Sequence, residues 1–452
     1  MKKLAAIYLP LVFCTAVAHA QTDPVITGWL FNTSGTTARY YITGNTTPQV
    51  DATLANVQQV RYSDNYVYVN ATGVPSYVTG PYAIGTVAKA LNNNYVIKLP
   101  RHPVAAPTPT AVGMGAIAVF INGTVAYAAR DAATYMNMGQ WHQNAVYFEN
   151  LGFDCAHGHP GPMSADYHVH QNPSAYNVSA VPTSNICNVY LADGLYVPNS
   201  AAHGPLIGFA SDGFPIYGAY GYTDPNDPSS PIKRMAPGYR LRSITSRTTL
   251  PDGTSATGPA FTDIITSPLV GSTPLPASLG AYEEDYEYVA GIGDLDEHNG
   301  RFCKTPEYPL GTYCYFATID ADRNPAFPYL IGKTYYGVAP ASGPGSSFVR
   351  STVSETVTTY TPTAVARMDV PVVSVSVFPN PVSDLLVVQC SVAGTADRHA
   401  ILTDMTGRVV QQQTIPQGST MCYFNVEILY AGTYMVTVTD GQNSTSSKVI
   451  IR

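Results

Sequence analysis

The sequence predicts a mainly β fold: a disulfide-braced central β-rich domain with few helices, then a small C-terminal Ig-like β-sandwich. Three observations lead there. Turn formers and tyrosine dominate, with 37 Gly, 36 Pro and 33 Tyr beside 14 Phe and 2 Trp. Period-two alternation marks half-buried strands near the C-terminus, strictly in Val373-Ser374-Val375-Ser376-Val377 and more loosely in Tyr434-Met435-Val436-Thr437-Val438. The cysteines fall into local couples, Cys155 with Cys187, Cys303 with Cys314 and Cys390 with Cys422. The 452 residues allow two to four domains at about 150 residues each. A charged fraction of 12% and a net charge of −7 disfavour a protein that reads nucleic acid through phosphates.

Taken in order, Lys2 and Lys3 followed by the apolar run Leu4 to Ala18 read as a secretory signal peptide over residues 1–20. The run is too short to span a bilayer, and no later stretch is long enough. Ala18 and Ala20 form an A-x-A site that exposes Gln21; Ala16 and Ala18 form a second that exposes His19, whose amine and ring can chelate copper. Cys14 leaves with the signal. In an oxidising compartment the remaining cysteines read as disulfides, and no C-x-x-C spacing supports thiolate metal ligation.

Residues 21–100 read as short strands packed with the next domain, with Tyr66-Val67-Tyr68-Val69 the clearest. Residues 101–338 hold eight of the ten histidines and form the domain where chemistry is expected. One helix is expected around Arg130 to Met138. The Ser, Thr, Gly and Pro of residues 339–370 read as a linker, and residues 371–452 as the sandwich. No internal repeat, heptad pattern or long amphipathic helix is found.

The final segment carries Val377-Phe378-Pro379-Asn380-Pro381, Asp404-Met405-Thr406-Gly407-Arg408-Val409, Gly432-Thr433-Tyr434 and Lys448-Val449-Ile450-Ile451. It resembles the type A C-terminal sorting domain of the type IX secretion system of Bacteroidetes. That resemblance implies passage through the periplasm, recognition by the outer-membrane machinery, and release or surface attachment. The middle of the chain resembles the YHYH family over about residues 101–337. The motifs are Gly139 to Asn144, Asp166-Tyr167-His168-Val169-His170, Pro205 to Gly218, and Gly293 to Phe302. Val169 stands where the naming motif has its second Tyr. The resemblance implies little biochemistry.

His168 and His170 sit at i and i+2 in a strand-forming segment, so both imidazoles face one side and can meet one ion. Zn and Cu suit neutral imidazole ligands. His157 and His159 repeat the spacing upstream, and His203 or His142 can supply a further nitrogen. The alternative is that His168 and His170 bond carboxylates or backbone in a polar core, with His157 and His159 on an exposed loop. Blue-copper chemistry needs a free Cys ligand and is disfavoured.

A second constellation is acidic: Glu283, Glu284, Asp285, Glu287, Asp294, Asp296 and Glu297. Oxygen ligands so spaced suit calcium, although Asn299 stands where an EF-hand loop from Asp294 needs Gly. Solvated charge is the competing reading. Glu297 and His298 are candidate catalytic bases beside a metal-bound water. No G-x-S-x-G elbow, H-E-x-x-H helix or phosphate-cradling loop occurs. The leading expectation is an exported Cu- or Zn-binding protein with hydrolytic or redox activity left open. The alternative is a binding or structural module that presents Tyr and Trp141 to glycans or cell-surface polymers.

Overall fold

Short runs of β-branched and aromatic residues, cut by Gly and Pro, form short strands, and the protein is mainly β with few helices. The computed structural model describes residues 23–82, 89–161, 165–173, 190, 198–266, 274–340, 348–362, 375–390, 397–405, 407–439 and 444–452. The stretch expected as a signal peptide, residues 1–20, lies outside them. Pro24–Thr27 and Ala145–Glu149 are α-helical.

The N-terminal strands Val57–Tyr62, Tyr66–Ala71 and Tyr95–Pro100 form a sheet whose alternate residues Val67, Val69, Ile97 and Leu99 are buried. They share one core with Val119, Phe209, Tyr217 and Phe316 of the central domain. The stretch expected as a linker joins this core: Phe348 and Val349 are buried, and Thr358–Thr359 pairs with Val57–Tyr62. Its few apolar side chains suffice to dock it. Residues 341–347 and 363–374 lie outside the described ones.

The expected helix around Arg130 is instead a strand, Arg130–Thr134, followed by one 3-10 turn. Pairing with His142–Asn144 claims the backbone, and Met136 and Asn137 take left-handed φ values of 52° and 58°.

The central sheet has eight strands in the order Gly158–Pro160, Tyr167–Val169, Val125–Tyr127, Ala116–Phe120, Leu206–Ala210, Pro215–Tyr217, Thr312–Phe316 and Gly300–Cys303. It consists of two equivalent halves. Each half is two antiparallel hairpins joined by one parallel pairing, Tyr167–Val169 with Val125–Tyr127 and Thr312–Phe316 with Pro215–Tyr217. At the junction Val119 pairs with Phe209, flanked by Phe120 with Gly208 and Ala118 with Ala210, the register of a local two-fold axis.

Hydrogen bonds repeat with the strands. Asp154 accepts from the N–H groups of Ala156 (2.9 Å) and Gly158 (3.2 Å) and from the Tyr167 hydroxyl (3.0 Å). Asp296 accepts from the N–H groups of His298 (2.9 Å) and Gly300 (3.2 Å) and from the Tyr313 hydroxyl (2.8 Å). His157 and Asn299 occupy equivalent left-handed positions, φ 64° and 68°. A Cβ on Gly158 would lie 2.5 Å from the Tyr167 hydroxyl oxygen, and one on Gly300 2.3 Å from that of Tyr313. Only glycine admits the tyrosine in either half. The expectation of no internal repeat is therefore corrected at the level of structure.

The C-terminal strands Val375–Phe378, Leu385–Cys390 and Met421–Asn425 form one sheet. Val409–Ile415, Arg398–Asp404, Gly432–Thr439 and Ser444–Ile451 form another. Alternate residues such as Leu386, Val388, Leu402, Val436 and Val438 meet in a core of their own.

The described cysteines correct the expectation of disulfide bracing in part. Cys303, Cys314, Cys390 and Cys422 are buried free thiols that pack as small apolar side chains. Cys155 is disulfide-bonded; Cys187 lies outside the described residues.

Candidate metal centre

Strand alternation sorts the motif Tyr167-His168-Val169-His170 onto two faces. Tyr167 and Val169 enter the core beside Ala126, Ile216 and Tyr315. The position of the missing second tyrosine therefore points away from the histidines, and Val169 fills it as packing. On the other face, His159 lies directly across the hairpin from His168. Their ring centroids are 4.6 Å apart, and those of His168 and His170 are 5.1 Å apart.

Glu149, at the end of the Ala145–Glu149 helix, completes the group. One ligating atom from each of Glu149, His159, His168 and His170 lies within 4.8 Å of the others, and all four residues are buried. Glu149 Oε2 is 2.9 Å from His159 Nε2 and 3.4 Å from His170 Nε2. Phe153 packs against His159 and His170. Tyr127 stacks on His168 at 4.1 Å and donates its hydroxyl to the Asp166 carboxylate.

Backbone carbonyls fix the tautomers. His168 Nδ1 is 2.9 Å from Asp166 O, and His170 Nδ1 is 2.7 Å from Ala128 O. A carbonyl only accepts, so each Nδ1 carries a proton, and in the neutral ring each Nε2 presents its lone pair. This arrangement orients imidazoles for metal ligation. Burial, followed by the rings of His159 and His170, holds His168 down at about 3, which keeps it neutral. Burial works against the Glu149 charge, but His170 and His159 in their protonated forms outweigh it and hold the carboxyl well below its ordinary range.

In the absence of an ion, His170 Nε2 lies 3.4 Å from the Glu149 oxygen, a contact that is favourable only if that ring takes up a second proton. Both ring nitrogens of buried His159 lack hydrogen-bond geometry, although Nε2 is close to Glu149. A divalent first-row ion resolves both problems, because it accepts lone pairs from all four groups. The donor set therefore fits such an ion.

The other expected ligands sit elsewhere. His157 is buried but outside the four-residue group; its left-handed φ breaks the alternation that would have placed it opposite His170. His203 is wedged between the rings of Tyr217 and Tyr222 in the other half. His142 binds Glu284 through Nδ1 at 2.6 Å. His298 Nδ1 lies 2.8 Å from Thr334 Oγ1, and its Nε2 is 3.8 Å from Glu297, whose carboxylate is 60% exposed. Trp141 is fully buried and is not an exposed platform.

The acidic segment is not a calcium cage. Glu283 pairs with Arg130, Asp285 with Arg247, Glu287 with Arg240 and Asp294 with Lys233. Asp296 holds its own loop. These carboxylates diverge toward separate cations, and among the described residues only the Glu149 group converges.

Asp154 supports the hairpin that carries His159, and burial pushes its carboxyl up to about 7. A folded value above the unfolded one means that the native state holds the extra proton between about pH 4 and pH 7. Stability should thus fall across that window as pH rises. Denaturant melts of wild type and Asp154→Asn are expected to converge from pH 4 to pH 7; a pH-independent difference contradicts the assignment.

Comparisons with known proteins match two stretches of the chain. Among curated proteins no match is found. A solved DUF3244 family protein with an immunoglobulin-like β-sandwich fold, from Bacteroides vulgatus, is similar at 22% identity and TM-score 0.15, over 17% of this chain and 81% of that one. Residues 376–452 match the secretion system C-terminal sorting domain, which marks the protein for the cell surface or the extracellular space. No helix among the described residues is long and apolar enough to cross a membrane. Residues 96–327 match the model of the YHYH protein, a span that includes all four converging side chains. With half of its length in that match, the chain belongs to the YHYH family.

Proposed function

We propose that this is an exported metal-binding protein in which Glu149, His159, His168 and His170 together hold one transition-metal ion, Zn or Cu. The observation that carries the reading is the convergence of four buried ligand groups within 4.8 Å, with two rings already oriented by backbone carbonyls. Three imidazoles and one carboxylate neutralise part of a divalent charge in an apolar shell, which disfavours hard ions such as calcium.

A complete protein ligand set supports a bracing role, since it ties the Gly158–Pro160 and Tyr167–Val169 hairpin to the Ala145–Glu149 helix. Hydrolysis or redox work on a substrate requires one ligand, most readily the carboxylate, to yield its place. Metal analysis of purified secreted protein tests the reading. Roughly one Zn or Cu per chain, absent from His168→Ala/His170→Ala, is expected. No bound metal, even after reconstitution with both ions, overturns it.

A further inference from the structure

The N-terminal region carries a groove of about 420 Å³ between the end of strand Asn45–Leu54 and the ends of strands Tyr66–Ala71 and Tyr95–Pro100. Its polar wall is Thr53, Gln58, Asn70, Thr72, Asn92 and Asn94, and among the described residues no Asp, Glu, Lys, Arg or His lines it. Pockets for drug-like ligands are mostly apolar with a few polar groups. Here hydroxyls and amides make up most of the wall.

Three of those amides are fixed in orientation by the chain itself. The Arg61 guanidinium donates to Asn70 Oδ1 at 2.8 Å, and the Asn94 N–H donates to Asn92 Oδ1 at 2.8 Å. Each oxygen is engaged, so each Nδ2 is left as a donor for a ligand. Gln58 is held the other way: its Nε2 donates to the carbonyls of Ala55 (2.8 Å) and Asn56 (3.3 Å), which leaves Oε1 as an acceptor. Two donors and one acceptor therefore stand pre-oriented in an uncharged groove, and pre-orientation lowers the cost of binding. Leu54, 44% exposed, adds an apolar contact.

A ligand that both donates and accepts through hydroxyls, carries no charge and has apolar C–H faces is a neutral carbohydrate. An acidic polymer meets no cation on this wall. A peptide strand fits less well, because Asn45–Leu54 is the edge of its sheet but the Thr53 N–H already donates to the Asp51 carboxylate at 2.8 Å. The sorting domain delivers the chain to the cell surface or the extracellular space, where polysaccharides are met.

We infer that this groove binds a neutral oligosaccharide through Nδ2 of Asn70 and Asn92 and Oε1 of Gln58, with Leu54 against the face of a sugar ring. The groove shares no residue with the four metal ligands, so the inference stands apart from the metal reading.

The test is calorimetric titration of the full secreted chain with neutral hexasaccharides of glucose, xylose, mannose and N-acetylglucosamine, and with hexagalacturonate as the acidic control. Saturable binding of at least one neutral sugar is expected, and it should persist after chelation of the metal. Asn70→Asp/Asn92→Asp keeps both oxygens that Arg61 and the Asn94 N–H use but removes both Nδ2 donors, and binding at least about 10-fold weaker is expected. Leu54→Ala, on an exposed position, reads the same groove should the double variant fail to fold, with a loss of at least about 3-fold expected. No binding of any neutral sugar, equal binding of hexagalacturonate, or wild-type affinity in the variants overturns the inference.

Discussion

Replacing Arg247 with Ala is expected to cost about 3–5 kcal/mol of folding stability, read as a shift of the denaturant midpoint. The guanidinium is fully buried, as is its partner Asp285. Nε and Nη2 both donate to the Asp285 carboxylate at 2.7 Å. The remaining N–H groups reach the carbonyls of Pro259 (3.0 Å), Ala277 (2.8 Å) and Ser278 (2.9 Å). The rings of Phe261, Tyr282 and Trp141 surround the cation. Removing it strands a buried carboxylate and several carbonyls at once, and a buried charge without its partner is far costlier than the intact pair. The double variant Arg247→Met/Asp285→Leu should recover much of the loss. A single variant within about 1 kcal/mol of wild type contradicts the assignment of Arg247 as the centre of that cluster.

Replacing Glu149 with Gln is expected to weaken metal binding by at least about 100-fold, measured by competition with a chelator. The substitution nearly preserves shape and leaves all three imidazoles. It removes the one anionic ligand and adds an N–H donor facing ring lone pairs. Retained affinity would mean that the carboxylate is a neighbour of the ion and not its ligand. The fold should survive, because Glu149 lies at the end of a five-residue helix whose Ala145 and Phe148 supply its packing.

Much of the site was legible because strand geometry is regular. The i, i+2 spacing of His168 and His170 placed both on one face, and His159 followed once a turn was allowed between the pairs. His157 obeys the same spacing but a different backbone; no period-two argument can foresee a left-handed residue. Glu149 was missed because a carboxylate in a short helix reads as surface charge. A signal was present: the run Ala145-Val146-Tyr147-Phe148-Glu149-Asn150-Leu151-Gly152-Phe153 is apolar around a single acid, beside the histidine segment.

The acidic segment shows the opposite limit. Its charges were plain, but Arg130, Arg240, Arg247 and Lys233 come from distant strands and loops, so their pairing depends on tertiary structure. The internal repeat was hidden for a related reason. What the halves share is hydrogen bonding about Asp154 and Asp296, with few side chains in common and connections of different length. The converging histidines of the first half have no counterpart among the described residues of the second, so the residues most visible in the sequence are those that conceal the symmetry.

The most direct measurement is anomalous X-ray scattering from crystals of the secreted protein, collected at and below the absorption edge of the ion found in it. One peak is predicted, about 2.0–2.2 Å from Nε2 of His168 and His170, a ring nitrogen of His159 and a carboxylate oxygen of Glu149. A protein that crystallises with no peak among those four side chains, or with its ion bound elsewhere, contradicts the account.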